Sequence, residues 1–319
     1  MASSKLKVVI TGASGHTGVS IMNQLLAAPA QFEVTALART ESINKQIYKG
    51  LAARDALVKP ANLQDVDAVA TMLSGADVII SSQFTKAGVG RYITSFWASV
   101  CPPTGFMAVR DEKEALFNRC KRLYLPYTVI DVGLWYQVNI PLVPSGRLDD
   151  LIVLDDSFIF GDGNTKTGLI DIDDIGRYVA RIIPDPRTLN KMVAAFGQVT
   201  TQNEIHSIVE EVTGETIPRK YRSRKDLEET ISATVEKLAQ NPIDEGLIMQ
   251  KFILGYACSR GIRDDNNLDT AKYLRYLDAK ELSPDVECMS FQDYIRQLVE
   301  GKRDAAVHVG RELGLDKRR

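Results

Sequence analysis

A glycine-spaced turn near the N-terminus constrains the fold of this chain more than any other feature. Residues 8–18 read VVITGASGHTG, in which a strand-forming run meets Gly12, Gly15 and Gly18. The residues that follow are apolar at the spacing of one helix face, which places the glycines between a strand and a helix. In such a turn the glycines permit the bend, the approach of a pyrophosphate and the packing of helix on strand. The pattern predicts a bound dinucleotide rather than an ordinary glycine-rich turn.

Strand-like and helix-like segments alternate along the first half of the chain. This alternation predicts an α/β fold with a doubly wound parallel sheet, a Rossmann domain, followed by a smaller and mostly helical substrate domain. We expect the Rossmann domain over 1–137 with a return segment at about 168–199, and the substrate domain over 138–319. The strands of the first domain are predicted at 8–11, 32–39, 56–63, 76–80, 91–97 and 127–133.

The second half of the chain is less regular. Residues 153–164, VLDDSFIFGDGN, predict a hairpin arm with a turn at Asp162-Gly163. The helix after it, DIDDIGRYVARII, is predicted to be capped by Asp173 or Asp174.

The residue after the second strand indicates which dinucleotide binds. An enzyme that uses NAD places Asp or Glu there to accept a hydrogen bond from the ribose 2′-hydroxyl. This chain has Arg39 and then Thr40, so a guanidinium stands where a 2′-phosphate would lie. The alternative is a solvated arginine after a strand. The pattern favours NADP.

The connection between the fourth and fifth strands is short for a parallel crossover. Residues 81–90, SSQFTKAGVG, lie between them, whereas such a connection normally takes a dozen or more residues with its helix. The connection is a stub, or the strand order differs, or the chain has lost a piece relative to its relatives. The residues alone leave these alternatives open.

Composition excludes several classes of protein. Apolar residues make up 45% and charged residues 25% of the chain, with a formal net charge of −2, so no basic surface for nucleic acid or an anionic membrane is expected. Four scattered cysteines and three distant histidines predict neither a disulfide framework nor a metal cluster. Because the N-terminus runs into a strand without an apolar signal core, we expect a cytoplasmic protein.

Several segments together resemble the NmrA-like and isoflavone-reductase-like family of atypical short-chain reductases. The resemblance covers nearly the whole chain, and its most specific part is DIGRYVARIIPDPRTLNK, residues 174–191. It implies an NADPH-binding Rossmann domain, a smaller substrate domain and, in members that are enzymes, reduction of phenolic or polyketide-like small molecules. Fungal members with the WYQ variant commonly serve secondary metabolism. The other segments that carry the resemblance are TGASGHTG, ALART, RYITSFW, LPYTVIDVGLWYQ and TQNEIHSIVEEVTGE.

The resemblance also implies a catalytic lysine. The family's lysine lies on a helix thirteen residues before the proline of an I/L-P-Y-T segment, which here is Lys113 before Pro126. A partly desolvated ammonium can pass a proton to a substrate oxygen; the alternative is one more charge on a solvated helix face. Val109 stands where an ordinary short-chain dehydrogenase has its tyrosine, which argues against the epimerases and dehydratases of the extended group.

Two functions of different classes follow. The first is an NADPH-dependent reductase of a small aromatic, phenolic or polyketide-like metabolite, acting as a tailoring enzyme in secondary metabolism. The second is a non-catalytic NmrA-like regulator that senses NADP. The short connection leaves open whether the cofactor site is complete, and the sequence does not distinguish a monomer from a homodimer. The predicted site is catalytic Lys113, the cofactor-binding residues Thr11, Gly12, Ser14, Gly15, His16, Thr17, Gly18, Arg39, Thr40, Ser81 and Ser82, and the substrate-pocket residues Trp97, Leu134, Trp135 and Tyr136.

Overall fold

A computed structural model of the protein describes residues 4–81, 89–103, 107–149 and 158–303. Most strands within these ranges join one sheet, and two small sheets hold the rest. The described strands are β1 (Leu6–Thr11), β2 (Phe32–Ala38), β3 (Leu57–Pro60), β4 (Val78–Ser81), β5 (Arg91–Thr94), β6 (Tyr127–Asp131), β7 (Leu134–Trp135), β8 (Phe158–Phe160), β9 (Thr167–Ile170), β10 (Lys191–Ala194), β11 (Gln198–Thr200), β12 (Lys220–Arg222) and β13 (Leu277–Asp278).

Helices connect these strands and cover the large sheet. Short 3₁₀ helices lie at Thr40–Ser42, Tyr136–Val138 and Pro186–Thr188, and a π-helical turn lies at Ser259–Arg263. The described α-helices are α1 (His16–Leu26), α2 (Gln46–Ala52), α3 (Val66–Leu73), α4 (Ala108–Arg122), α5 (Ile172–Ile182), α6 (Gln202–Thr213), α7 (Arg224–Gln240), α8 (Glu245–Cys258), α9 (Leu268–Tyr273), α10 (Ala279–Leu282) and α11 (Phe291–Val299).

The large sheet has eight parallel strands in the order β3-β2-β1-β4-β5-β6-β10-β13. After β1, the chain adds β2 and then β3 on one side of β1. It then crosses to the other side of β1, where it adds β4 and then β5 and β6. In open α/β sheets, ligands bind at the carboxyl ends of the strands where this reversal occurs. The predicted doubly wound fold is confirmed, and its switch point lies between β1 and β4.

The two faces of this sheet carry separate apolar cores. Val8 and Ile10 of β1 pack with α1 and α5 on one face, whereas Val9 packs with α3 and α4 on the other. This alternation follows from the two-residue period of a strand, and burial on both faces explains why the strand sequences are almost continuously apolar. Met22 and Leu25 show no exposed surface on α1, which fits the helix face predicted from their spacing.

The order of the central strands removes one alternative for the short connection. The fifth strand begins at Arg91 as expected, and it pairs in parallel with β4, with Val78 opposite Arg91. A different strand order is therefore excluded. The strand ends at Thr94 rather than at residue 97, because the chain turns over the strand end at residues 95–97. Residues 82–88 of the connection lie outside the described residues.

Two predictions for the second half were wrong. Residues 153–157 of the predicted hairpin arm lie outside the described residues. From Phe158 onward, within the part of the chain that the structure describes, β8 pairs in parallel with β12, more than fifty residues further along the chain, although the Asp162-Gly163 turn does follow it. The N-cap of α5 is Asp171, whose carboxylate accepts from the Asp173 backbone N–H at 3.3 Å. The first error arose because the partner of β8 is distant in the sequence. The second arose because three acidic residues near the start of α5 are candidates for one N-cap position.

The later part of the chain combines small sheets with helices. Strands β7, β9 and β11 form one small sheet, and helices α6 and α11 pack beside it around a third apolar core. Strands β10 and β13 return to the large sheet at its edge. The predicted division of the chain at residue 137 stays a prediction.

Candidate cofactor and active site

The glycine turn has the geometry that the sequence pattern demands. Gly12 has a φ of +73°, in the left-handed region where a side chain is strained. A Cβ at Gly18 would lie 2.1 Å from the Gly12 carbonyl oxygen, so the third glycine is needed for helix and turn to touch. Between them, the Gly15 N–H donates to the Gly12 carbonyl at 3.1 Å. The turn is closed by its own backbone.

Helix α1 begins directly after this turn. Gly15 is its N-cap residue in an extended conformation, and a glycine has no side chain with which to cap the first turn. The backbone N–H groups of that turn and the positive end of the helix dipole therefore face outward, at the switch point of the sheet. This arrangement suits a phosphate group.

A cavity of about 240 Å³ lies over this helix end. At its floor the Thr11 hydroxyl donates to the Ser81 hydroxyl at 2.8 Å, which joins the ends of β1 and β4. Trp97, after β5, and Trp135, in β7, reach the cavity from the other side. The lining residues are Ile10, Thr11, Gly12, Gly15, His16, Thr17, Gly18, Ile21, Ile80, Ser81, Ser95, Trp97 and Trp135. Nine of the predicted site residues are thus brought together.

Ser14, Arg39 and Thr40 lie beside the cavity rather than in its lining. Ser14 is exposed and accepts a hydrogen bond from the Tyr48 hydroxyl of α2 at 3.3 Å. Arg39 follows β2 with two thirds of its side chain exposed, and its guanidinium lies 3.5 Å from Glu41. Thr40 starts the 3₁₀ helix after β2. Since β2 neighbours β1 in parallel, Arg39 is at the same sheet edge as the glycine turn.

Lys113 contacts the turn after β5, although it is not itself among the residues that line the cavity. Its ammonium donates to the Ser95 backbone carbonyl at 2.6 Å, and Ser95 lines the cavity. Burial lowers the pKa of Lys113 below its ordinary value of 10.5, an effect that the negative charge of Asp131 opposes. A lysine that gives up its proton more readily than a surface lysine is therefore hydrogen-bonded to a residue of the cavity lining.

The turn that presents Ser95 is tightly held and locally strained. The Ser95 N–H donates to the Ser81 carbonyl at 3.2 Å, and the Trp97 N–H donates to the Ile130 carbonyl at 3.1 Å. Trp97 has a φ of +39°, which is unfavourable for a bulky side chain. Such strain persists only where surrounding contacts fix it, and it is concentrated at functional sites.

The predicted pocket residues after β6 divide between the cavity and the core. Trp135 lines the cavity, whereas Leu134 and Tyr136 belong to the core around α6 and α11. Tyr136 has no exposed surface, and its hydroxyl donates to the Met289 carbonyl at 2.9 Å. Adjacent residues of an extended chain point to opposite faces, so the three cannot share one wall. Leu134 and Tyr136 are core residues.

Two residues that the sequence analysis did not select contribute to the site. Ser95 offers a backbone carbonyl, and its place just after a strand in the sheet was the available signal. Tyr48 holds the glycine turn from α2, and nothing local in the sequence indicates that contact. Ser82, predicted to bind cofactor, lies outside the described residues.

Within the ranges that the structure describes, no three His, Cys, Asp or Glu side chains are grouped in a way that could hold a metal ion. None of the helices in those ranges combines the length and the apolar character needed to cross a bilayer.

The fold and the cavity define an NAD(P)H-binding protein of the Rossmann type, and comparison with known proteins agrees. Residues 12–98 match a family model described as NAD(P)H-binding. The chain is 37% identical over 320 residues to asnovolin J 5′,6′-dehydrogenase nvfM of Aspergillus novofumigatus, covering 95% of this chain and 98% of that protein. It is 25% identical over 328 residues to the isoflavone reductase homolog IRL of Zea mays, covering 94% and 100%.

A solved structure shows the same fold. The leucoanthocyanidin reductase–NADPH complex from Vitis vinifera superposes with a TM-score of 0.72 at 19% identity, covering 92% of this chain and 99% of that one. The chain belongs to the isoflavone-reductase-like branch of the NmrA-like family. It is an NADPH-dependent oxidoreductase of that type.

Proposed function

We propose that this protein reduces a small aromatic, phenolic or polyketide-like metabolite with NADPH, in a tailoring step of secondary metabolism. One observation carries the proposal: the Lys113 ammonium donates at 2.6 Å to the backbone carbonyl of Ser95, and Ser95 lines the same cavity as the glycine turn. In our proposal a proton donor is thus held one contact away from the dinucleotide-binding turn's cavity.

The residues present fit the cofactor. In our proposal the N–H groups at the start of α1 hold the pyrophosphate, and Gly15, which lines the cavity without a side chain, leaves room for it. Arg39 and Thr40 hold the 2′-phosphate, with Arg39 exposed and able to leave Glu41 for a phosphate. Ser81 forms part of the floor. NADPH, when bound, supplies a hydride.

Lys113 supplies the matching proton in this proposal. Hydride addition to a polarised carbon leaves negative charge on the attached oxygen or conjugated system, and that charge must be neutralised. An ammonium with a lowered pKa donates to such an oxygen more readily than an ordinary lysine. The Ser95 carbonyl holds the ammonium in place beforehand, so the proton is oriented when the substrate enters.

The two tryptophans favour a flat substrate. Trp97 and Trp135 both line the cavity and are only partly buried, so ring faces remain available for contact. Two of the similar proteins are named for asnovolin J and leucoanthocyanidin as the compounds on which they act, and a third is named a homolog of isoflavone reductase. We propose an oxygen-bearing ring system with a flat face toward the two tryptophans. Because the first of these relatives is named a dehydrogenase, the reverse reaction also belongs in the test.

The test is a turnover screen with a lysine variant. NADPH oxidation is followed against quinones, enones and phenolic ethers, and NADP⁺ reduction against the products. Lys113→Ala should retain NADPH affinity and lose about 10²–10⁴ in turnover, the usual worth of a positioned proton donor. Lys113→Arg should not restore turnover, since a guanidinium keeps its proton.

Lys121→Ala is the matched control. It lies on the same helix and is exposed, with its ammonium over the Phe117 ring rather than at the cavity. Turnover of this variant should equal that of the unchanged protein. A Lys113→Ala variant as fast as the unchanged protein would contradict the catalytic assignment. NADP binding without turnover on any compound of the screen would contradict the proposed substrate class.

A further inference from the structure

The backbone of Trp135, which lines the cavity, is held by a buried amide. The Asn139 side-chain nitrogen donates to the Trp135 carbonyl at 2.6 Å. Asn139 ends the 3₁₀ helix Tyr136–Val138, and Trp135 is the N-cap residue of that helix. Trp135 also pairs in parallel with Ile170 of β9. Its position at the cavity is therefore fixed both by the small sheet and by Asn139.

The oxygen of the same amide is held by an arginine from the later part of the chain. Asn139 Oδ1 accepts a hydrogen bond from the Arg260 guanidinium, which lies 121 residues further on. Both residues are buried, and the guanidinium carbon lies 5.8 Å from the centre of the Phe160 ring. Because the oxygen of the amide faces a donor and its nitrogen faces an acceptor, only one orientation satisfies both contacts. Arg260, Asn139 and Trp135 form one chain of hydrogen bonds, here called the Trp135 network.

The arginine of the Trp135 network lies in an irregular helical turn. Arg260 belongs to the π-helical turn Ser259–Arg263, which follows α8 directly. The Thr165 hydroxyl donates to the Gly261 carbonyl of this turn at 3.0 Å. Turns of the π type are rare and occur frequently at functional sites. Here the turn brings a buried guanidinium to the residue that holds Trp135.

We propose that Asn139 and Arg260 are positioning residues that fix Trp135 as a wall of the substrate cavity, and that they thereby limit which flat compounds it accepts. This inference rests on the proposed function, because it assigns the wall against which the substrate ring lies. Neither residue belongs to the described residues that line the cavity, so an effect on the substrate has to pass through Trp135. Small displacements of such a wall matter, since a misplacement of about 1 Å can reduce turnover substantially.

The position of Trp135 can be measured without any substrate. The chain has two tryptophans, Trp97 and Trp135, and both line the cavity. Protein labelled with fluorotryptophan therefore gives one ¹⁹F resonance for each, and Trp135→Phe assigns them. Trp97 is the internal reference, because its N–H donates to the Ile130 carbonyl rather than contacting Asn139.

Asn139→Asp is the first variant. A carboxylate still accepts from Arg260 but cannot donate to the Trp135 carbonyl. The Trp135 resonance should therefore shift or broaden, while the Trp97 resonance stays in place. With the best compound of the turnover screen, KM should rise about tenfold, the upper end of what one hydrogen bond contributes. NADPH affinity and kcat should change much less.

Arg260→Gln is the second variant, and it decides the proposal if Asn139→Asp does not fold. It leaves the donor to Trp135 in place but removes the guanidinium that orients the amide, so the Trp135 resonance should move in this variant too. Arg224→Gln is the matched control, because Arg224 donates at 3.0 Å to the Ile262 carbonyl of the same π turn rather than to Asn139. Both resonances and KM should be unchanged in the control. If Arg260 only stabilises the turn, the two arginine variants should behave alike.

A Trp135 resonance that stays unchanged in the folded variants of Asn139 and Arg260 would overturn the proposal. Equal changes of both tryptophan resonances would also overturn it, because they indicate a general loosening of the fold. A changed Trp135 resonance with an unchanged KM would overturn the assignment of Trp135 as the limiting wall. Failure of the proposed function looks different: the Trp135 resonance would still respond to both variants, while no compound of the screen would be turned over.

Discussion

Gly18 offers the sharpest test of how the glycine turn determines both stability and cofactor binding. A Cβ at this position would lie 2.1 Å from the Gly12 carbonyl oxygen and 2.9 Å from the Ala13 Cα, where contacts under 3.0 Å are essentially never seen. Both neighbours are backbone atoms of the turn, so α1 must move away from it. We therefore expect Gly18→Ala to damage the fold and the phosphate site together.

The expected change in the free energy of unfolding of Gly18→Ala is the difference between two opposing effects. Overpacking of a tight contact typically costs about 1–3 kcal/mol, and the severity of this overlap favours the upper end. Alanine gains about 1 kcal/mol over glycine inside a helix. The free energy of unfolding of Gly18→Ala should therefore decrease by roughly 2 kcal/mol, as the difference of these two terms. Urea denaturation monitored by circular dichroism measures it.

Gly15→Ala separates binding from stability. Its Cβ would lie 3.5 Å from the Gly12 oxygen, an ordinary contact, and its φ is not in the left-handed region. Stability should change little, whereas NADPH affinity should fall at least about tenfold, or about 1.4 kcal/mol, because the methyl group lies where the backbone meets the pyrophosphate. NADPH fluorescence titration gives the affinity.

A second comparison isolates the packing effect. A Cβ at Gly176 on α5 would lie 2.1 Å from the Ser20 carbonyl oxygen of α1, well inside the fold. Gly176→Ala should lose stability comparably to Gly18→Ala, with a smaller loss of NADPH affinity. If Gly18→Ala proves as stable as the unchanged protein, or Gly15→Ala binds NADPH normally, the assigned roles of the two glycines are wrong.

Two other predictions concern the cofactor preference and the core. Arg39→Ala should weaken NADPH binding by roughly 1.5–3 kcal/mol, the worth of a charge-assisted contact, and leave NADH binding nearly unchanged; isothermal titration measures both, and equal affinity of the unchanged protein for the two cofactors would contradict it. Tyr136→Phe removes the donor to the Met289 carbonyl and should reduce the free energy of unfolding by about 1–3 kcal/mol. Its NADPH affinity should be unchanged, and a large loss of affinity would contradict the core placement of Tyr136.

Local patterns predicted the parts of the fold that local forces determine. The glycine turn, the alternation of strands and helices and the parallel sheet all follow from short-range periodicity and turn chemistry. The wrong predictions concern partners that are distant in sequence. Strand β8 pairs with a strand that starts at Lys220, and no feature within 153–164 indicates that partner. A hairpin was the nearest local solution.

In the site, too, the residues that local patterns indicate are separated from contacts that depend on distant parts of the chain. Family resemblance selected Lys113, but its hydrogen-bond acceptor at Ser95 is not visible in the sequence around it. Ser95 offers only a backbone oxygen, which any residue type would provide. The Tyr276 hydroxyl donates to the buried Asp131 carboxylate from 145 residues away, and nothing local in the sequence indicates that contact. Tyr136 shows the reverse case, in which an aromatic residue beside the ligand edge points into the core.

Helix α4 carries two cationic side chains about one turn apart, Arg110 and Lys113, which need opposite protonation behaviour. Arg110 must stay charged, because a neutral group there would remove the cation that the carboxylates of Asp131 and Glu114 share. Lys113 must be able to lose its charge, because it is proposed to give a proton away. A guanidinium meets the first demand and an ammonium the second, since only the ammonium has a pKa that burial can bring toward the working range. Exchanging the two residue types should therefore impair both positions, although the net charge of the chain would be unchanged.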